Sequence, residues 1–177
     1  MNKKIFFSIL GLILILNCKP NTKNEQQYWT VHQKEYSDTI SQYPNFKNLL
    51  DAKMIEAKKI WAESEKITNE EEKAAKMKEA NEKIDELLNP FSQIKYKKEG
   101  ILKSIDKIDD KRLNASKDKI RDEAIETGRK TISEITSKLN TASPANEEDL
   151  KSITKECISS LISAQGALDR AEKAIKK

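Results

Sequence analysis

The chain has 177 residues, of which 35% are charged and 6% are aromatic, and it contains only four Gly and four Pro. So little Gly and Pro disfavours a turn-rich β fold, and the sequence has neither sustained two-residue alternation nor an Asn-Gly or Asp-Gly turn. The formal charge is +4, or +2 without Lys3 and Lys4. This near balance argues against a nucleic-acid binder, which needs a strong basic bias on one face.

The first element in chain order is an apolar run over residues 5–16, interrupted only by Ser8 and Gly11. As a helix the run would span roughly 18 Å, well short of the ~30 Å hydrocarbon core of a bilayer. Two lysines precede it and a cysteine follows it closely. A short basic region followed by a short apolar run is typical of a cleavable export signal.

Ile15 lies three positions before Cys18, and this spacing resembles a bacterial lipobox. The resemblance implies that Cys18 receives a diacylglycerol on its sulfur and that its freed amine is acylated too. At the position just before the cysteine, Asn17 stands where Gly, Ala or Ser is usual. This relaxed form of the lipobox resembles that of spirochaete lipoproteins. The alternative is a chance cysteine after an ordinary signal peptide. Because each buried CH₂ contributes about 0.8 kcal/mol, two or three acyl chains would hold the protein on a membrane.

The sequence therefore predicts three parts. Residues 1–17 form a lipoprotein signal peptide, residues 18–27 a lipidated Cys with a flexible tether, and residues 28–177 a helical domain. The tether prediction rests on the polar stretch Lys19–Gln27, which contains Pro20 and has no periodic apolar pattern. Removal of residues 1–17 leaves 160 residues, enough for one modest core.

Apolar residues at steps of three and four predict the helices of this domain. After a short first helix within 28–43, the stripes are Phe46, Leu50, Met54, Ala57 and Trp61; Met77, Ala80, Ile84 and Leu87; Ile94, Ile101, Ile105 and Ile108; Ile120, Ala124, Ile132, Ile135 and Leu139; and Leu150, Ile153, Cys157, Leu161, Ala164, Leu168, Ala171 and Ile175. The expected fold is all-α, an antiparallel bundle of four or five helices.

Three signals predict boundaries in the first half of the domain. Pro44 is suited to the first turn of a helix. Thr68 and Glu71 have the spacing of a capping box, which either starts a new helix or is tolerated within a longer one. Pro90 is expected to end the helix before it, because the residue preceding a proline is disfavoured in the helical region.

Two further signals concern the second half. Residues 114–116 offer an interruption, so residues 101–139 form either one helix or two. Residues 140–146 are a loop, with Ser143 or Asn146 as the N-cap of a last helix whose first turn is acidic.

The sequence contains no recognised catalytic motif: no Gly-rich phosphate loop, no G-x-S-x-G, no H-E-x-x-H and no C-x-x-C. Cys157 lies on an apolar stripe, where a buried and inert thiol is the usual case. His32 is the only histidine and is expected at the surface or partly packed, without a metal site. We therefore expect a protein that is not an enzyme and that carries no cofactor besides the lipid on Cys18.

Two groups of residues are candidates for binding. Lys103, Lys107 and Lys111 stand four residues apart on one helix face. Such a stripe would attract a sulfated polysaccharide or an acidic protein patch, although the aspartates between the lysines favour an ordinary solvated face. The aromatic residues near the tether would either be exposed interface anchors or, as we expect, pack on the bundle. They are Tyr28, Trp29 and Tyr36.

The sequence MNKKIFFSILGLILILNC and the Lys-, Glu- and Ile-rich helical domain after it resemble the plasmid-encoded surface lipoproteins of Borrelia spirochaetes. The resemblance implies an outer-membrane lipoprotein at the cell surface that presents its helical domain to a host macromolecule, such as a complement, matrix or plasma protein or a glycosaminoglycan. It carries over no residue other than Cys18. The alternative is a periplasm-facing lipoprotein that scaffolds the cell envelope without a host ligand.

Overall fold

The computed structural model describes residues 20–109 and 114–176. Cys18 and Lys111 lie outside these ranges. The described residues form five α-helices and contain no strand, so the prediction of an all-α bundle is confirmed. The elements are α1 (Thr22–Gln42), a 3₁₀ turn (Pro44–Phe46), α2 (Lys47–Ser64), α3 (Glu70–Asp109), α4 (Ala115–Thr141) and α5 (Glu147–Lys176).

Consecutive helices run in opposite directions around α3. Its 40 residues give a length of about 60 Å at 1.5 Å per residue. The first half of α3 packs against α1 and α2, the second half packs against α4, and α5 runs beside the middle and second half. The bundle is therefore built on one long central helix.

Asparagine caps four of the five helices. The side-chain oxygens of Asn21, Asn69, Asn114 and Asn146 each accept a backbone N–H from the first turn, at 2.9 to 3.1 Å. A short amide side chain is favoured at this position because it satisfies an N–H group that the helix leaves unpaired.

These caps settle three of the boundaries that the sequence left open. A new helix does begin after Thr68, but its cap is Asn69 rather than Thr68. Residues 101–139 belong to two helices rather than one, since α3 ends at Asp109 and Asn114 caps α4. Of the two candidates for the cap of α5, Asn146 is the one used.

The predicted flexible tether over residues 18–27 is wrong for its second half. Helix α1 begins at Thr22, where Asn21 caps it, so the tether does not extend past Asn21 and the helical domain starts before residue 28. The polar sequence misled because α1 has few apolar residues to bury. Its inward face instead includes Glu25, whose carboxylate and backbone carbonyl both accept hydrogen bonds from the buried Asn81 amide of α3.

The expectation that Pro90 ends a helix is also wrong, because Pro90 lies inside α3. An interior proline removes one backbone hydrogen bond and costs about 3 kcal/mol. The side chains on both sides of it, Leu87, Leu88 and Phe91, are buried. Packing of these residues offsets the cost of the proline, and tertiary contacts override the local preference.

Most residues of the predicted apolar stripes form one continuous core, but Ile120 is 40% exposed and Met77 is buried outside this core. The first stripe is buried at Phe46, Leu50, Met54 and Ala57. All the predicted α5 positions are buried too, except Ile153, which is partly buried. Near the middle of the molecule the rings of Tyr43, Phe46 and Phe91 pack together, with centroids 5.2 to 6.4 Å apart. This aromatic cluster joins the end of α1 and the start of α2 to α3.

Candidate functional site

The predicted lysine stripe is only partly free. Lys107 lies 2.7 Å from a carboxylate oxygen of Glu172 on α5, and Lys176 lies 2.6 Å from the same oxygen. The two ammonium groups lower the pKa of Glu172 to about 2. Lys103 is exposed, and Lys111 lies outside the described residues. A ligand site on this stripe stays a prediction, and Lys107 also has a structural role.

Cys157 is buried in the core, as its position on the α5 stripe predicts. Burial raises the pKa of its thiol. A thiol is a poor nucleophile when it is protonated and shielded, since the thiolate is the reactive form. This environment agrees with an inert structural cysteine.

His32 is buried rather than at the surface, and two carboxylates flank it. Its Nδ1 lies 3.5 Å from Glu35 on the same helix and 4.0 Å from Asp85 on α3. The His32 imidazole lowers the pKa of Glu35, whereas burial raises the pKa of Asp85. The sequence could not reveal this cluster, because the pairing of α1 with α3 brings Asp85 to His32.

The arrangement around His32 is not that of an activated hydroxyl. Ser92 donates its hydroxyl hydrogen bond to Glu35 at 3.1 Å, so the carboxylate, not the imidazole, receives it. In a nucleophilic triad the imidazole is the direct partner of the hydroxyl. Over residues 20–109 and 114–176 we also find no group of three metal-ligating side chains that could hold a metal ion. The contacts of Glu35 with Ser92 and of His32 with Asp85 join α1 to α3.

The aromatic residues near the N-terminus pack rather than protrude. Trp29 stacks on Trp61, and the hydroxyl of Tyr36 donates a hydrogen bond to Asp51 on α2. The Tyr36 pKa is raised to about 12 by partial burial and by the Asp51 carboxylate. Tyr28 is half-buried. Packing was the expected alternative for this group, and the positions of Trp29 and Tyr36 agree with it.

A groove of about 240 Å³ lies beside the end of α1. The sequence pattern of one helix alone does not predict it, because residues of two helices line it. We call it the α1–α3 groove and define it by Asp38 and Tyr43 of α1 and its C-cap and by Phe91, Tyr96, Glu99 and Leu102 of α3. It forms because α1 ends at Gln42 while α3 continues to Asp109. The face of α3 that α1 covers along its length is thus uncovered past the end of α1.

The groove combines apolar surface with charge. Tyr43 and Phe91 are almost fully buried, whereas Tyr96 is 66% exposed and Leu102 is 47% exposed. Glu35, Lys95 and Lys98 also line the groove. The Lys98 ammonium donates a hydrogen bond to Thr136 on α4 at 2.8 Å, and burial lowers its pKa. An exposed tyrosine and leucine on an otherwise polar helix face were the available sequence signal.

Comparison with known proteins adds no relative: no family model, no curated protein and no solved structure matches this chain. Among the described residues, no helix has an apolar stretch that is long enough to cross a membrane. The physical chemistry of the chain itself therefore has to support any function assigned to it.

Proposed function

We propose that the chain is a lipid-anchored protein of the bacterial outer membrane whose helical domain binds a host macromolecule at the cell surface. The observation that carries the proposal is the N-terminal pattern: a lysine pair, a short apolar run, and Cys18 three positions after Ile15. Lipidation of Cys18 would supply the membrane attachment. The relaxed lipobox and the helical composition favour a spirochaete of the Borrelia type.

The geometry of the bundle supports a role in presentation. Thr22 at the start of α1 donates a hydrogen bond to Glu70 at the start of α3, at 3.1 Å, so the two helices begin at the same end of the bundle. Helix α1 starts four residues after Cys18. A lipid anchor on Cys18 would therefore attach this end of the bundle to the membrane.

The α1–α3 groove would then face outward at a distance from the bilayer. Residues 91–102 of α3 lie roughly 30 to 50 Å from Glu70 along the helix axis, at 1.5 Å per residue. Tyrosine is one of the side chains that most often anchor a protein interface. Tyr96 is exposed at the groove, and Leu102 adds exposed apolar surface. The groove is thus the surface that we assign to partner binding.

Protease digestion tests the location. Intact cells and lysed cells of the source bacterium would be treated with proteinase K, with a periplasmic protein as the control for envelope integrity. The proposal predicts loss of the protein from intact cells while the periplasmic control survives. Resistance in intact cells with digestion in lysates would contradict surface presentation and favour a periplasm-facing scaffolding lipoprotein. A Cys18→Ala variant should leave the membrane fraction.

A binding screen tests the second half of the proposal. The full chain would be exposed to serum proteins, matrix proteins and glycosaminoglycans at physiological salt, since weak charge attraction is screened there. Saturable binding of one component supports the proposal. Binding to none of them would remove the host-ligand role even if the protein lies at the surface.

A further inference from the structure

We propose that the α1–α3 groove binds an arginine side chain carried on an apolar segment of a protein partner. This inference rests on the proposed binding function and names the chemistry of the partner. It also differs from the lysine stripe, because an acidic groove selects a basic protein segment rather than a sulfated polysaccharide.

The groove carries a small excess of negative charge, because three carboxylates and two lysines line it. Asp38 of α1 and Glu99 of α3 are exposed, and neither has an ion pair within the described part of the chain. The third carboxylate, Glu35, is held by Ser92 and His32 and is offset by Lys95. Two unpaired carboxylates on two different helices are thus left to receive a cation.

The other cation beside the groove is directed elsewhere. The Lys98 ammonium is hydrogen-bonded to Thr136 of α4, a residue that does not line the groove. The same lysine acts electrostatically on Cys157 of α5. Its charged end therefore lies toward the α4 and α5 side of α3. What Lys98 presents to the groove is its methylene stem, which adds apolar surface.

The aromatic surface favours arginine as the cation. Tyr96 offers an open ring at the groove, being 66% exposed, whereas the stacked rings of Tyr43 and Phe91 are almost fully buried and form its floor. A guanidinium can stack on an aromatic ring while its N–H groups pair with a carboxylate in its own plane, whereas an ammonium ion has no flat face to stack. Leu102 offers a contact for an apolar residue next to the arginine.

The size of the groove limits what it takes. Its volume of about 240 Å³ is below the roughly 300 to 1,000 Å³ of sites that enclose a whole small-molecule ligand. It suits one long side chain, with the rest of the partner lying over Tyr96 and Leu102. The partner is therefore another macromolecule rather than a diffusible metabolite.

A planar organic cation provides a direct test. The full chain in detergent micelles, with carbon-13 in its aromatic rings, would be titrated with benzamidinium chloride and monitored by NMR. Benzamide, which has the same shape without the charge, is the matched control. We expect saturable shifts of the Tyr96 and Phe91 ring signals with benzamidinium and at least tenfold weaker binding of benzamide.

Charge removal separates the groove from general attraction. Asp38→Asn and Glu99→Gln should each weaken benzamidinium binding about threefold, and together about tenfold, in line with exposed ion pairs. Glu126→Gln, an exposed carboxylate on α4, should leave the binding unchanged. Circular dichroism would verify that each variant keeps its helical content.

Three results would overturn the inference: equal binding of benzamide, unchanged binding in the Asp38→Asn/Glu99→Gln variant, or tighter binding of benzoate. Because this titration uses isolated protein, it reports on the groove alone. The protease digestion reports on location alone, so failure of one proposal is distinguishable from failure of the other.

Discussion

Trp29 of α1 stacks on Trp61 of α2, with ring centroids 4.6 Å apart and ring planes inclined by 14°. Trp29 is buried and Trp61 is partly buried. The other buried residues of α1 are polar, namely Glu25, His32 and Thr39. The tryptophan pair therefore supplies much of the apolar contact that holds α1 on the bundle.

Replacement of Trp29 by alanine should lower the free energy of unfolding by about 3 kcal/mol, as for other large buried aromatic residues. Urea denaturation followed by circular dichroism measures this. Val31→Ala on the same helix, at a side chain that is 51% exposed, should change it by less than about 0.5 kcal/mol. Equal effects of Trp29→Ala and Val31→Ala on the free energy of unfolding would show that the stack contributes little.

The chain has two tryptophans, so either Trp→Phe variant should also abolish the exciton signal of the pair in circular dichroism.

Gly128 permits the close approach of α3, α4 and α5. A Cβ there would lie 3.2 Å from Ile101 and from Ile105, and 3.4 Å from Leu168. Gly128→Val should therefore lower the free energy of unfolding by about 2 to 3 kcal/mol through overpacking. The measurement is denaturant unfolding.

Gly166→Ala is the matched control for Gly128→Val. A Cβ at residue 166 would meet only the flexible end of Arg170, at 3.5 Å. Alanine is a better helix former than glycine, so this variant should gain about 0.5 to 1 kcal/mol. A stabilised Gly128→Val protein would contradict the packing of the three helices at this point.

The cap of α5 gives a third test. Asn146 accepts the Asp149 N–H at 2.9 Å, whereas Ser143 lies before the helix. Asn146→Ala should cost about 1 kcal/mol of stability, and Ser143→Ala should stay within about 0.5 kcal/mol. Thermal unfolding of the two variants side by side measures the difference. The opposite order would move the start of α5 to Pro144.

The Glu172 carboxylate predicts a pH dependence. Its pKa in the folded chain is about 2, against an ordinary value of 4.5. A lowered carboxyl pKa contributes stability above pH 4.5, and this contribution is lost as the pH falls from about 4.5 to about 2. Glu172→Gln should therefore be less stable than the wild type at pH 7, and the difference should shrink across this window.

Acid titration of stability at low salt measures this effect, with Glu126→Gln as the exposed control. High salt should also reduce the difference, because the Lys107 and Lys176 ammonium groups lie near the surface and are screened. A difference between Glu172→Gln and the wild type that is constant from pH 7 to pH 2 would contradict the assignment of the ion pairs.

The sequence predicted the helices well where apolar residues recur at steps of three and four. The α5 stripe from Leu150 to Ile175 is the clearest case, because burial of one face determines that helix. It failed at residues 22–27 and at Pro90. In both places contacts with another helix outweigh the local preference: the Glu25–Asn81 hydrogen bonds at the first and core packing around Phe91 at the second.

The α1–α3 groove could not be predicted from the sequence for a related reason. It exists because α1 runs parallel to α3 and ends beside Phe91, and such a register depends on pairing between distant helices. Tyr96 and Leu102 are exposed apolar residues, but a single exposed residue of this kind is common on any protein. Only in the folded structure do Tyr96 and Leu102 lie in one groove with Asp38, and this makes them a candidate binding surface.

The most direct test of the account is mass spectrometry of the N-terminal peptide of the protein purified from membranes of the source bacterium. We expect the peptide to begin at Cys18 and to carry a diacylglycerol on the sulfur and an acyl chain on the amine. A free thiol at Cys18, or an N-terminus at any other residue, would contradict it.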